Sequence, residues 1–209
     1  MQAKRIFEII FNILRITLVA AAVTSIFYAS WQNLSISILA LVLTFLPTWI
    51  EKKYSISIPL DIELVIILFI YASLFLGEIN KFYIKFWWWD IALHTFSAVA
   101  FALIGFIILF ILFKTNKITS KPIWIALFSF CFSVAIGSIW EIFEFSVDNF
   151  FGTNMQKSGL VDTMWDMISN CIGAASASLI GFAYMKGSQR SYLTKVIGYF
   201  IKNNSNIKL

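Results

Sequence analysis

Six runs of apolar residues, near positions 10–30, 34–50, 60–77, 87–113, 122–147 and 163–185, leave this chain little choice of fold. An α-helix needs roughly 20 apolar residues to cross about 30 Å of hydrocarbon, and in lipid the backbone amides must be satisfied without water. Six such runs predict an all-α, polytopic integral membrane bundle. Composition agrees: 60% of residues are hydrophobic, 13% are charged and mean hydropathy is +0.84, outside the range of soluble domains. The connections are short, so residues 1–209 are expected to form a single transmembrane domain. The longest outer connection, around Asn149 to Val161, carries Gly152 and Gly159 as loop punctuation.

The net charge of +5 would suggest nucleic acid in a soluble protein, but here the placement of the charges decides. Lys4, Arg5, Arg15, Lys52, Lys53, Lys114, Lys117, Lys121, Lys186, Arg190, Lys195, Lys202 and Lys208 fall to one side of the six spans, and only Lys81, Lys85 and Lys157 to the other. The positive-inside rule then predicts cytoplasmic N and C termini in a plasma or inner membrane, and no nucleic-acid partner. Tryptophans fit the same frame. Trp31, Trp87, Trp88, Trp89, Trp140 and Trp165 would form an outer belt, with Trp49 and Trp124 at the inner one.

Arg5, Glu8, Asn12 and Arg15 interrupt the first run at helical spacing, and no small-residue cleavage site follows, so an uncleaved first span with a polar stripe at the inner interface is expected. Residues 190–209 read as a basic, amphipathic cytoplasmic tail. Leu193, Val196, Ile197, Phe200 and Ile201 lie on one side and Lys195 and Lys202 elsewhere, which suits a short membrane-surface helix. Cys131 and Cys171 lie well inside spans five and six, where buried free thiols behave as small hydrophobes and imply no disulfide.

Against this apolar background six of the eleven acidic residues stand at the ends of hydrophobic segments, together with His94, the only histidine. Asp90 and His94 begin the fourth span, Glu141, Glu144 and Asp148 end the fifth, and Asp162, Asp166 and Asn170 begin the sixth. Residues three or four apart share a helix face, so each span offers one polar stripe, and all three stripes share the outer leaflet. Small residues accompany them: Ser97, Ala98, Ala102 and Gly105 in span four, Gly137 in span five, and Gly173, Ala174, Ser176, Ala177 and Gly181 in span six. Such residues allow close backbone approach, which predicts that the three spans pack with their polar faces inward.

Carboxylates gathered away from bulk water must share protons, be neutralised by Lys81, Lys85 or Lys157, or hold a cation. A divalent ion is the simplest answer. Carboxylates with an amide oxygen suit Mg²⁺, Mn²⁺ or Ca²⁺, and one His with carboxylates also accommodates Zn²⁺ or Fe²⁺. The expected ligands are His94, Glu144 and Asp166, with an open position for water or a phosphate oxygen. His94, Asp90, Glu141, Glu144 and Asp166 are the candidate catalytic residues, one carboxylate serving as general base, and Asn170, Asp148 and Asp162 the candidate substrate-binding residues. The outer-leaflet location points to a lipid head group or lipid-linked envelope precursor. The plainer roles of such residues are caps and helix-dipole partners, which suit Asp90 and Asp162, or solvent exposure, which suits Asp148.

The elements Trp89-Asp90-x3-His94, Trp140-Glu141-x2-Glu144 and Asp162-Thr163-x-Trp165-Asp166-Met167-x2-Asn170-x2-Gly173-Ala174 resemble the YjdF-like family of bacterial inner-membrane proteins, over roughly half the chain. More distantly, Asp90-x3-His94 and Asp166-x3-Asn170-x2-Gly173 are similar to the VanZ-like proteins, named for a glycopeptide-resistance phenotype. The resemblance implies a multi-pass membrane protein and a site, without a reaction. Two other functions fit the same chain. A small cation or proton transporter would use the carboxylates as a relay, with Asp61 and Glu63 extending it inward. A non-catalytic scaffold would expose a small-residue face on a span that packs nothing within the monomer.

Overall fold

Apolar runs of this length become helices, and the structure, a computed structural model describing residues 2–188 and 192–204, is all-helical. Arg190 and Lys208 lie outside the described residues, as do the side chains of Lys4 and Ile201. Six stretches are long and apolar enough to cross a membrane: Arg5–Phe27, Trp31–Tyr54, Leu60–Ile79, Trp89–Lys114, Pro122–Phe151 and Leu160–Met185. Several begin or end a few residues beyond the apolar runs. Arg, Glu and Lys interrupt hydropathy without interrupting a helix, because their straight side chains have good helix propensity.

The chain divides into two units, Met1–Trp89 and Asp90–Leu209. In the first, α1 (Gln2–Phe27) is followed by a broken second span, α2 (Trp31–Leu43) and α3 (Leu46–Tyr54). Pro47 has no N–H to return to the preceding turn, so the helical ladder opens at Thr44 and Phe45. Arg15 closes the gap from α1. Its Nε donates to Thr44 Oγ1 at 3.1 Å, Nη2 donates to the Thr44 carbonyl at 3.0 Å, and the guanidinium lies 4.0 Å from the Phe45 ring centroid. The polar stripe of the first span therefore includes an internal fastening.

The third span runs from α4 (Leu60–Ile70) into a π-helical stretch, Tyr71–Ile79. Thr48 donates to Glu63 at 3.2 Å, and the Thr17 and Tyr71 hydroxyls meet at 3.1 Å, tying the three spans together around Leu18, Ala40 and Ile70. Helix α5 (Phe82–Lys85) folds Tyr83 over Gly77, where a Cβ would stand 2.3 Å from the ring. The tryptophans differ in exposure. Trp31, Trp87, Trp88, Trp140 and Trp165 are exposed, as are Trp49 and Trp124, but Trp89 packs against Phe82, Phe86 and Trp88 with its indole nitrogen buried.

The second unit consists of α6 (Trp89–Lys114), α7 (Pro122–Phe151), α8 (Leu160–Met185) and α9 (Tyr192–Asn203). Hydroxyls set the register of the three spans. Ser129 Oγ donates to the Ala102 carbonyl at 2.6 Å, Ser133 Oγ to the Ala98 carbonyl at 2.7 Å, and Ser178 Oγ to Ser129 Oγ at 3.1 Å. Gly173 lets α8 lie directly on α6, since a Cβ there would stand 2.4 Å from the Thr95 carbonyl oxygen. Below these layers Phe106, Phe110 and Ile125 pack with Ile197 of α9, so the tail helix seats its apolar side on the unit and leaves Lys195 and Lys202 exposed. Both cysteines are free, but Cys131 faces outward rather than into the packing.

The 2.4 Å approach at Gly173 involves backbone, which cannot give way as a side-chain tip can. Gly173→Val is expected to destabilise the protein by about 2 kcal/mol, read as a lowered thermal midpoint in detergent. Ala100→Val, on the exposed face of α6, should leave the midpoint unchanged.

Candidate functional site

The register fixed by the three serines carries the polar stripes to one level. With Ala102 opposite Ser129 and Ala98 opposite Ser133, one further turn brings His94 opposite Gly137, and the next brings Asp90 opposite Glu141. On the other side of α7, Ser129 opposite Ser178 continues to Gly137 opposite Asn170 and Glu141 opposite Asp166. The contacts agree. His94 Nε2 lies 3.6 Å from Asp90 Oδ1 and 3.9 Å from Asp166 Oδ2, and its Nδ1 lies 3.8 Å from Glu141 Oε1. One imidazole thus faces three carboxylates contributed by three helices.

These distances are too long for hydrogen bonds and leave room between the groups. Both oxygens of Glu141, Oδ2 of Asp166 and Nδ2 of Asn170 are buried without a hydrogen-bond partner, in residues only 5%, 2% and 2% exposed. Asn170 has its place because α7 has glycine at 137, where a Cβ would stand 2.5 Å from Asn170 Nδ2. Asp90, His94 and Asp166 each offer a ligand atom within 4.8 Å of the others. Ligand atoms on opposite sides of one ion at about 2.1 Å are roughly 4 Å apart, so a small inward adjustment would seat an ion among them. This is a possible Asp, His and Asp metal-binding group.

The remaining acidic residues have other surroundings. Glu144, expected as a ligand, is half-buried one turn beyond Glu141, and its Oε1 accepts the indole N–H of Trp140 at 2.9 Å; Asp90 stands in the ligand group where Glu144 was expected. Asp148 organises the connection between α7 and α8. Its Oδ1 accepts the Thr153 hydroxyl at 2.5 Å and the Met155 N–H at 2.7 Å, and its Oδ2 accepts the Gln156 N–H at 2.9 Å. Asp162 is half-buried in the first turn of α8, where a negative charge complements the helix dipole.

Lys157, one of the three lysines expected near these carboxylates, reaches the cluster, its ammonium paired with Asp90 Oδ2. That connection also binds back to α8 through Gln156 Nε2, which donates to Thr163 Oγ1 at 2.7 Å. Ser129, Ser133 and Ser178 escaped the reading of individual motifs, and Gly137 was singled out only as a small residue that allows close packing. The signal that finds them is a step of four residues along each helix, running from the acidic end into the serines and alanines.

A family model described as a predicted membrane protein, DUF2238, matches residues 10–187, and the chain belongs to that family. A protein of Thermotoga maritima described as uncharacterized is 27% identical over 143 residues, 68% of this chain and 73% of its own length. No solved structure matches the chain.

Three hydrogen bonds to one carboxylate make Asp148 the fastening of the connection between α7 and α8. Asp148→Ala is expected to raise hydrogen exchange at the Met155 and Gln156 amides about tenfold, while amides in the middle of α7 keep their protection.

Proposed function

We propose that the cluster in the second unit binds one divalent cation through Asp90, His94 and Asp166, with Glu141 alongside, and acts on a lipid head group or lipid-linked envelope precursor in the outer leaflet of the plasma or inner membrane. The observation that carries this reading is the set of buried, unpartnered oxygens on Glu141 and Asp166 facing one imidazole. Taking a carboxylate out of water costs several kcal/mol after relaxation, and a shared proton or a nearby positive charge offsets it. A cation among these groups would satisfy several of them together.

Mg²⁺, Mn²⁺, Ca²⁺ and Zn²⁺ are the candidate ions; of these Mn²⁺, which accepts carboxylate and imidazole ligands together, suits the set best. A bound divalent ion would supply Lewis-acid polarisation of a phosphoryl or carbonyl oxygen. Glu141, beside the ligand group rather than within it, is the candidate general base. Asn170 Nδ2, a buried donor lacking an acceptor, would take an oxygen of the bound head group. Glu144, Asp148 and Asp162 would line the approach. The concentration of basic residues at the opposite ends of the spans supports an outward-facing site, and the motif resemblance to YjdF-like and, more distantly, VanZ-like proteins is consistent with an envelope role.

A relay for protons or cations has less support in this unit. Inward of the site the stripes continue as Ala98 and Ala102, Ser133 and Ser129, and Ala174 and Ser178, and the Ser129 and Ser133 hydroxyls are committed to backbone carbonyls. The next layer is the Phe106, Phe110 and Ile125 cluster.

Elemental analysis of the purified protein tests the proposal. About one divalent ion per chain is expected in the wild type, with loss of that ion in His94→Ala and Asp166→Ala and its retention in Glu144→Ala, whose carboxylate is held by Trp140. A wild type without stoichiometric metal, or His94→Ala and Asp166→Ala variants that keep it, would sink the metal reading. Ion flux in proteoliposomes that depends on Glu144 would turn the assignment toward transport.

A further inference from the structure

The carboxylates of the site already have one positive partner, and it comes from a loop. Lys157 pairs with Asp90 Oδ2 while the other oxygen of that carboxylate faces His94. The lysine side chain is 26% exposed and that of Asp90 16%, whereas His94, Glu141 and Asp166 lie deeper, so the ammonium occupies the mouth between water and the buried groups. Building on the divalent-ion reading, we propose that Lys157 is a tethered counter-cation which an incoming divalent ion displaces, so that ion occupancy sets the position of the lysine side chain over the site.

The backbone is suited to such exchange. Residues 152–159 are bracketed by Gly152 and Gly159, both at φ +65°, and a Cβ at either would meet nothing within 4 Å, so these glycines serve conformation rather than packing. Lys157 itself stands at φ +34°, an uncommon conformation for a residue with a side chain. The Lys157 pair with Asp90 is an interaction that can compensate for that conformation. The Asp148 bonds hold Thr153 to Gln156, Gln156 is tied to Thr163, and the Gly159 N–H closes a turn on the Gln156 carbonyl, so Lys157 stands at a turn from which its long side chain can exchange Asp90 for water while the backbone stays anchored.

Electrostatics sets the direction. An ion held by Asp90 would stand a few ångströms from the ammonium on the same carboxylate, and two like charges at that range repel strongly in a partly dehydrated site. Asp90 would also divide its charge between them. Coupling of this kind is reciprocal: if the ion weakens the pairing of Lys157, removing the ammonium must strengthen binding of the ion. A lysine that merely orients Asp90 for the metal predicts the opposite sign.

Titration of detergent-purified protein with Mn²⁺ reads that sign. Lys157→Met, which keeps the aliphatic stem, is expected to tighten Mn²⁺ binding about tenfold, and Lys157→Arg to stay near the wild type. In the unmodified wild type, saturating Mn²⁺ is expected to increase acetylation of Lys157 by an amine-reactive reagent, followed by mass spectrometry. Mn²⁺ affinity that is unchanged or weaker in Lys157→Met, or Lys157 acetylation that does not respond while Mn²⁺ is bound, overturns the displacement and leaves the ion site standing. Absence of Mn²⁺ binding in both wild type and variants removes the ion site and this inference together.

Discussion

Negative charge held between lipid-facing helices must be answered by positive charge or by protons, and the second unit is organised around that requirement. Asp90, Glu141 and Asp166 converge from three spans upon His94, and Lys157 reaches in from the connection between α7 and α8. In a low-dielectric surrounding, solvation lost by each carboxylate far exceeds what an ordinary hydrogen bond restores, so the group is stable only as a set whose charges are considered together. Features at a distance serve this set. Gly137 makes way for Asn170, Gly173 brings α8 onto α6, and Asp148 shapes the loop that carries the lysine.

Membrane spans were legible because length and apolarity are enough to specify them. The break at Thr44 and Phe45 and the π-helical stretch from Tyr71 were not, because hydropathy is indifferent to which backbone bonds close. Arg15 illustrates the same limit. From sequence it is one member of a polar stripe near a membrane interface; in the fold its guanidinium supplies donors to a carbonyl and a hydroxyl at the opening in the second span. Only the partner distinguishes the two roles, and the partner is 29 residues away.

Ionisable residues in apolar context picked out side chains that the fold brings together, while helical periodicity alone could not rank them. Glu141 and Glu144 are three residues apart and share a face, yet one points into the cluster and the other meets Trp140. The choice is made by register between helices. Ser129, Ser133, Gly137 and Glu141 form one row on α7, as do Ala102, Ala98, His94 and Asp90 on α6, and Ser178, Ala174, Asn170 and Asp166 on α8. Reading the rows together places Glu141 and Asp90 beside His94 and Asp166 and leaves Glu144 outside the rows, a distinction that the separate motifs do not make.

The serine clasps on Ala98 and Ala102 use the spare acceptor capacity of carbonyls already engaged in the helix, so α6 gains lateral bonds without giving up longitudinal ones. Turning α6 by a single residue would swing those carbonyls about 100° away from their hydroxyls and would aim the imidazole at lipid. Two hydroxyls buried far from any charge thus act as a compass bearing for the polar end of the helix. The floor of the site is consequently a fixed reference, and whatever yields to an arriving ligand must yield at the rim.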